Sequence, residues 1–205
     1  MIALIDYGIS NLRSVQKAFE HLDTEVTLVD TPDRVAQADR LILPGVGAFP
    51  AGMKGLQERG LIEPLKQAVR DGKPLMGICL GMQLLFDSSD EMGNTVGLGL
   101  LPGQVMRIGG QSSVVRGLKI PHMGWNQLDL VSDHPLVRDL AAGSYAYFVH
   151  SYAVYPDQRD IILANTDYGG PFASIVGRGN ICGLQFHPEK SQAVGLNLLK
   201  NFLEM

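Results

Sequence analysis

The sequence predicts an α/β fold: a central, mostly parallel sheet flanked by helices, with antiparallel additions in the C-terminal half. Up to Phe86, short apolar runs alternate with stretches of helical periodicity, as is typical of a parallel sheet with helices on both faces. The apolar runs lack the polar alternation of a half-exposed strand, so each strand is expected to be covered on both faces. Beyond Phe86, closely spaced strand-like runs indicate the antiparallel additions.

The first half of the chain is predicted to contain strands separated by helices. An apolar residue recurs every three or four positions between Leu12 and Leu22, which predicts a helix capped by Asn11 or Ser10. The predicted strands lie at 1–5, 26–29, 40–43 and 73–77, and the predicted helices lie at 12–22, 31–38, 61–71, after Phe49 and beyond Gly81.

The second half is predicted to contain short strands and a terminal helix. Residues 87–99 are polar, and the segment 121–126 interrupts the strand-like runs. Ser191 is placed to cap the final helix. The predicted strands lie at 105–108, 113–120, 145–152, 161–165, 172–176 and 181–186.

Length and composition narrow the class of protein. A chain of 205 residues, 45% hydrophobic and 19% charged, is expected to form a single domain, residues 1–205. No apolar run is long enough to span a membrane and no secretory signal begins the chain, so we expect a cytoplasmic protein. A net charge of -4 without basic clusters argues against nucleic-acid binding.

Cys79 lies between two glycines where a predicted strand turns into a predicted helix. Residues 77–81 read GICLG, the pattern of a nucleophile elbow, in which the glycines let the backbone bend and hold the middle side chain strained and exposed. The helix that follows directs its N–H groups at the sulfur, which favours the thiolate. Cys79 is therefore the candidate nucleophile. The alternative, a small apolar residue on a buried strand, leaves the two glycines unexplained.

His187 is the candidate base for this nucleophile. It leaves the apolar strand 181–186 directly into a loop that begins with Pro188. Glu189, two residues later, can orient the imidazole as the third member of a triad does. The alternative is a loop histidine beside a solvated charge at a helix start.

The remaining histidines and the second cysteine suit other roles. His122 and His150 lie beside aromatic residues and are rivals to His187, or hydrogen-bonded histidines at a packed edge or a partner surface. His21 and His134 are expected at the surface, and Cys182 in the core. Since no paired Cys/His spacing occurs, a metal site is not expected.

A glycine-rich loop, residues 44–49, follows the third predicted strand. Gly45 and Gly47 can be turn residues only, or they can let backbone N–H groups approach a ligand and stabilise a negatively charged oxygen. The loop and Cys79 both follow strands of a parallel sheet, whose carboxyl ends share the edge where sites lie. We therefore expect the loop beside the nucleophile.

Residues 77–83 (GICLGMQ) and 186–189 (FHPE) resemble the class I glutamine amidotransferase family, whose triad is Cys-His-Glu. The resemblance extends from end to end and is greatest to members that serve histidine biosynthesis with a (β/α)8-barrel cyclase. It implies hydrolysis of L-glutamine to glutamate and ammonia without a cofactor. Cys79 would attack the amide, His187 would protonate the leaving ammonia and Glu189 would orient His187. The further stretches that carry the resemblance are 6–12, 44–49, 121–126, 147–152 and 187–191.

The resemblance also assigns roles around the triad. The oxyanion would be bound by the backbone N–H of Leu80 and by a donor from Val46 and Gly47. The family is described as keeping that second donor turned away until the partner is bound and liganded. The implied glutamine-binding positions are Gln83 and the backbone around Gly47, His150 and Ser151.

The implied partner is the cyclase subunit, which receives the ammonia within a heterodimer. Ser10 departs from the family pattern, which has glycine there, and because serine resists positive φ, the turn that places Asn11 can differ. Two alternatives stay open: a glutaminase for another synthase, such as an anthranilate or pyridoxal phosphate complex, and a non-catalytic subunit whose thiol is a relic or a redox sensor. The implied partner contacts are Asn11, Trp125, Tyr147 and Lys190.

Overall fold

The computed structural model describes residues 1–8, 11–109 and 118–205. Its largest sheet has eight strands in the order β2-β1-β3-β4-β14-β13-β12-β9. The first five of these are parallel, and the last three join antiparallel, which confirms the predicted fold class. In the described residues the strands are β1 (Ile2–Ile5), β2 (Thr27–Val29), β3 (Arg40–Leu43), β4 (Leu75–Ile78), β5 (Phe86–Ser89), β6 (Thr95–Val96), β7 (Leu101–Arg107), β8 (His122–Gln127), β9 (Asp129–Leu130), β10 (Tyr145–His150), β11 (Tyr152–Pro156), β12 (Ile162–Asp167), β13 (Pro171–Arg178) and β14 (Ile181–Leu184).

Helices cover both faces of this sheet. Side chains of β1 alternate between two apolar clusters: Ala3 and Ile5 belong to one and Leu4 to the other. Helices α2 to α5 contribute to the first cluster, and α1 and α6 to the second. The strands in the middle of the sheet, β4 and β14, are therefore apolar throughout, because neither face of them meets water. The helices are α1 (Leu12–Glu20), α2 (Pro32–Gln37), α3 (Phe49–Glu58), α4 (Ile62–Arg70), α5 (Leu80–Leu84) and α6 (Gln192–Glu204).

The second half departs from the prediction in strand bounds and pairing. The segment 121–126 does not interrupt strands but forms β8, which pairs with β10 in a two-stranded sheet. The predicted strand 145–152 divides at Ser151 into β10 and β11, and β11 joins the separate sheet β11-β7-β5-β6. The polar stretch after Phe86 contains β5 and β6. Of the predicted strand 113–120, residues 113–117 lie outside the described residues, as does Ser10.

The helix starts also differ from expectation. Asn11 holds the N-cap position of α1, but its side chain makes no capping bond within the described residues and accepts a hydrogen bond from Ser14 Oγ at 2.9 Å. Helix α5 begins at Leu80, one residue after the cysteine, rather than beyond Gly81.

Gly77 and Gly81 are required by close approach rather than by unusual dihedral angles. A Cβ on Gly81 would lie 1.7 Å from the carbonyl oxygen of Leu43, and one on Gly77 would lie 2.6 Å from the backbone of Met82. Neither glycine has positive φ; Cys79 has it instead, at 53°. The absence of side chains on both glycines thus lets β4, α5 and the end of β3 pack in contact.

Replacing Gly81 with alanine is therefore expected to lower the free energy of unfolding by about 3 kcal/mol or more, since backbone on both sides must move. Gly72→Ala is the matched control: its Cβ would have open space at φ +82°, and the expected cost is about 1 kcal/mol. Urea unfolding of both variants measures the difference. Equal costs would show that the close approach at Gly81 relaxes easily.

Candidate active site

Two neighbouring strands bring the predicted nucleophile and base together. β4 and β14 are adjacent and parallel in the middle of the large sheet, so their carboxyl ends meet. Cys79 directly follows β4, and its backbone N–H donates to the carbonyl oxygen of Leu184, at the end of β14, at 2.7 Å. His187 follows β14 by a short turn and therefore faces the same side as Cys79.

Cys79 lies at the strained turn that the sequence predicts, but it is not exposed. Its φ and ψ are 53° and -111°, a conformation that costs roughly 1–3 kcal/mol for a residue with a Cβ. Its exposed fraction is 6%, because the side chain forms the floor of a cavity. The helix that follows has only five residues. The side-chain nitrogen of Gln185 donates a long hydrogen bond to Sγ, at 3.9 Å.

His187 and Glu189 form a buried pair. His187 Nδ1 lies 2.8 Å from Glu189 Oε1, and the two side chains are 3% and 1% exposed. Burial alone would lower the pKa of His187, but its interactions with Cys79 and Glu189 raise that pKa to about 10. His187 Nε2 is buried without a hydrogen-bond partner among the described residues. Because Glu189 engages Nδ1 and the imidazole interacts with Cys79, Nε2 is the nitrogen available for proton transfer with the sulfur. Glu189 stands behind the imidazole in the orienting position.

The turn carrying His187 is tied to β10 through Ser191. Ser191 Oγ donates to the carbonyl oxygen of His187 at 2.7 Å and accepts from the N–H of Tyr147 at 3.0 Å. The N–H of His187 in turn donates to the carbonyl oxygen of Tyr147 at 3.0 Å. Ser191 holds the N-cap position of α6, but its hydroxyl makes no capping bond in the described part of the chain. The Ser191 hydroxyl instead fixes the turn that carries His187. The sequence predicted only a helix cap at this position.

A cavity of about 370 Å³ opens above Cys79. It brings together the predicted nucleophile, base, oxyanion loop and glutamine-binding positions. Glu189, Asn11, Trp125, Tyr147 and Lys190 are not in its wall. The lining residues are Val46, Gly47, Cys79, Leu80, Gln83, Glu91, Pro121, Val149, His150, Ser151, Tyr152 and His187.

One wall of the cavity is a fixed chain of hydrogen bonds. His150 Nδ1 lies 2.8 Å from the carbonyl oxygen of Tyr152, and His150 Nε2 lies 3.0 Å from Nδ1 of His122. Gln83 Nε2 donates to the same Tyr152 oxygen at 2.9 Å. Burial lowers the pKa of His150 to about 3 and that of His122 to about 4. Both rings are neutral, and both nitrogens of each ring have a partner: Tyr152 and His122 for His150, and His150 and Asn126 for His122. These bonds leave neither ring a free nitrogen to act as the base in place of His187, so near His150 the backbone is the part that can bind a ligand.

The glycine-rich loop lies against the start of α5. The carbonyl oxygen of Gly45 accepts a hydrogen bond from the N–H of Leu80 at 3.3 Å. Val46 is 40% exposed, and Gly47 has φ +103° with open space around its Cα. The loop therefore occupies one of the two N–H groups that the sequence assigns to an oxyanion.

Glu91 also lines the cavity, and the sequence offers no reason to select it. It lies in the turn between β5 and β6, and its Oε2 accepts a hydrogen bond from the N–H of Phe49 at 2.7 Å. This bond fixes a carboxylate in the cavity wall beside the end of the loop. No motif surrounds Glu91, so its position depends on the folding of the hairpin.

An apolar face adjoins the cavity on the outer side of β8 and β10. Met123, Trp125 and Tyr145 are exposed there. The Trp125 and Tyr147 rings are 6.1 Å apart, and Lys190 Nζ lies 5.7 Å from the Tyr147 ring centroid. Val149 lies on β10, as Tyr147 does, and pairs with Met123 of β8. Val149 also lines the cavity. This outer face of β8–β10 therefore extends to the candidate active site.

The described part of the chain contains neither a metal-binding group of side chains nor a membrane-spanning helix. No three His, Cys, Asp or Glu side chains there form a group that could hold a metal ion. None of the described helices has the length and apolar character needed to cross a membrane.

Comparison with known proteins gives consistent results. A family model for class-I glutamine amidotransferases matches residues 3–205. A protein of Syntrophotalea carbinolica named imidazole glycerol phosphate synthase subunit HisH is 50% identical, with 100% of each chain covered. The protein of that name from Halalkalibacterium halodurans is also 50% identical, over 98% of this chain and 94% of its own. Among solved structures, PurLQS from Thermotoga maritima matches with a TM-score of 0.76 at 22% identity, covering 99% of this chain and 97% of that one.

Proposed function

Because the chain belongs to the class I glutamine amidotransferase family, we propose that it is the glutaminase subunit of an imidazole glycerol phosphate synthase. In this proposal residues 1–205 form one domain that acts in the cytoplasm. It hydrolyses L-glutamine to glutamate and ammonia with Cys79, His187 and Glu189. The observation that carries the proposal is the buried cavity in which His187 Nε2 faces Cys79 while Glu189 holds the other ring nitrogen.

The chemistry follows from these positions. Cys79 Sγ attacks the side-chain amide carbon of glutamine, and the C–N bond breaks as His187 Nε2 gives a proton to the leaving nitrogen. Water, deprotonated by the same nitrogen, then attacks the glutamyl thioester and releases glutamate. The raised pKa of His187 suits the first step, because the imidazolium that must donate is stabilised by buried Glu189.

Substrate recognition uses polar groups around the cavity. The nitrogen of the Gln83 amide is engaged by Tyr152 and Gln185, so its oxygen is the atom that accepts from glutamine. The backbone of Gly47 and Ser151 provides the remaining contacts. Glu91 adds the negative charge that a substrate α-ammonium group needs.

Glu91→Gln tests this assignment. Glutamine at this position keeps the bond from Phe49 and the volume but removes the charge, and we expect KM for glutamine to rise about tenfold or more with little change in kcat. Asp90→Asn, one residue away and outside the cavity wall, is the control and should leave KM unchanged. A fall in kcat alone would assign Glu91 to the chemistry instead.

The oxyanion donors of the proposal are the N–H groups of Leu80 and Val46. The peptide unit joining Gly45 to Val46 is planar, so rotating it would remove the Gly45 oxygen from Leu80 and turn the Val46 N–H toward the same space. The rotation changes ψ of Gly45, which has no Cβ to restrict it, and φ of Val46. Activity therefore requires a change in the loop.

The partner of the proposal is the (β/α)8-barrel cyclase, docked on the outer face of β8–β10. A two-stranded sheet that exposes a tryptophan, a tyrosine and a methionine is unusual at a free surface, and the curated relatives are named as subunits. Trp125, Tyr147 and Lys190, with Asn11 at the start of α1, would contact the cyclase. Ammonia would then leave the cavity past Val149 into the partner.

Glutamate release by the purified chain tests this function, alone and then with the cyclase and its nucleotide ligand. We expect the rate to rise by about two orders of magnitude or more only in the full mixture, since one oxyanion donor is worth that much. Equal rates without the partner would contradict the loop assignment. Stimulation by a different synthase would replace the cyclase in the proposal, and no glutamate under any condition would support a non-catalytic subunit.

A further inference from the structure

We propose that Tyr7 is a positioning residue for the oxyanion loop. Its buried hydroxyl anchors the Pro44–Gly45 peptide, so that reorientation is confined to the next peptide unit, between Gly45 and Val46. The inference rests on the proposed glutaminase function and adds to it a residue that is outside the cavity wall.

Tyr7 reaches the loop from the neighbouring strand. It follows β1, which is paired in parallel with β3, and Pro44 follows β3. The Tyr7 hydroxyl donates to the carbonyl oxygen of Pro44 at 2.6 Å, and the side chain is 1% exposed. Pro44 is also buried, so this hydrogen bond satisfies a carbonyl that water cannot reach.

The fit at Gly45 shows how closely the anchor controls the loop. A Cβ on Gly45 would lie 2.2 Å from the Tyr7 hydroxyl oxygen and 2.9 Å from Cβ of Leu80. Gly45 is thus held between the anchoring hydroxyl and the residue that carries the first oxyanion donor. Only the peptide on its far side, toward exposed Val46, has room to rotate.

The backbone of Tyr7 is held as firmly as its side chain. Arg59 Nη1 donates to the carbonyl oxygen of Tyr7 at 2.9 Å, and a Cβ on Gly55 would lie 2.3 Å from that oxygen. Helix α3, which contains Gly55, begins directly after the loop. The side chain of Tyr7 therefore contacts Pro44, which precedes the Gly45–Val46 peptide, and its backbone contacts α3, which follows that peptide.

The hydroxyl remains a donor throughout the reaction. Burial raises the pKa of Tyr7, and negative charge on Cys79 acts in the same direction, so the phenol stays protonated when the thiolate forms. Tyr7 does not exchange a proton with the reacting atoms. Its effect on the rate comes from where it holds the loop.

Tyr7→Phe in the complex with the cyclase and its nucleotide ligand tests the inference. We expect the stimulated kcat to fall about tenfold, because the donors are no longer placed together. KM for glutamine should stay within about twofold and the unstimulated rate within about threefold, since the resting loop does not use the second donor. Tyr168→Phe is the matched control: it removes a similar bond, from the hydroxyl to the carbonyl oxygen of Lys119 at 2.7 Å, and should leave the stimulated rate unchanged.

Arg59→Gln gives a second variant that does not depend on the Tyr7 side chain. It loosens Tyr7 from α3 and should lower the stimulated kcat about threefold with KM unchanged. A stimulated kcat that is unchanged in both variants would overturn the inference, as would equal losses with and without the partner. If the unsubstituted complex released no glutamate, the proposed function would fail instead, so the two failures are distinct.

Discussion

Replacing Cys79 with alanine is expected to reduce glutamate release by the complex by about 10⁴-fold or more, because no other group in the cavity can form the thioester. Hydrolysis without a covalent intermediate would require water to attack an unactivated amide. Under the proposed function, the complex should still use free ammonium at the unsubstituted rate, since the cyclisation would occur in the partner. The measurement is glutamate release alongside ammonium-dependent product formation.

Cys182→Ala is the control for this prediction. Cys182 is fully buried in β14 and lines no part of the cavity, and its substitution should leave glutamine-dependent activity within a few-fold. Glutamate release that survives Cys79→Ala would remove the cysteine from the mechanism. Loss of ammonium-dependent activity as well would mean that the substitution disrupts the complex.

Replacing Glu189 with glutamine is expected to lower kcat/KM by about 10³-fold, because the buried carboxylate both orients His187 and stabilises its charged form. Cys79 and this carboxylate together raise the pKa of His187 to about 10, so the imidazolium that gives a proton to the leaving nitrogen is present below that value and lost above it. Removing the charge lowers this pKa. The alkaline limb of the pH–rate profile should therefore move to lower pH in the variant.

The control for Glu189 is Glu63→Gln, which alters an exposed carboxylate in α4. It should shift neither the rate nor the alkaline limb. A Glu189→Gln variant with a tenfold loss or less and an unmoved alkaline limb would show that burial of His187, rather than the carboxylate, sets its pKa.

The pH dependence of stability provides a second readout. The folded pKa of His187 is raised above its unfolded value, so the contribution of His187 to the free energy of unfolding is present below about pH 6.5. That contribution is lost as the pH rises through the folded pKa.

The parallel half of the fold is predictable because its strands are buried on both faces. A run such as Leu41–Leu43 needs no partner to be recognised, since water meets neither side of it. The antiparallel half is harder, because β5 begins at Phe86 but continues in polar residues that its pairing with β7 makes extended. β8 likewise contains Gly124 and follows Pro121, and only its pairing with β10 identifies it as a strand.

The candidate site divides in the same way. Cys79 and His187 each follow a strand, so the sequence places both at one edge. That β14 lies next to β4 depends on the strand order, which the sequence does not state. The cavity also depends on contacts between distant segments: Glu91 reaches the N–H of Phe49, and Tyr7 reaches the carbonyl of Pro44. No local motif marks Glu91, and the stretch 6–12, which contains Tyr7, does not indicate the contact that Tyr7 makes.

The hydrogen bond from the Leu80 N–H to the Gly45 oxygen also affects how much glutamine the cell would consume. A glutaminase that has a preformed site but no bound partner would release ammonia where nothing receives it. Here the resting loop covers its own donor at 3.3 Å. Under the proposed function, an excess copy of this chain would leave the glutamine pool intact, and the supply of ammonia would follow the demand of the partner.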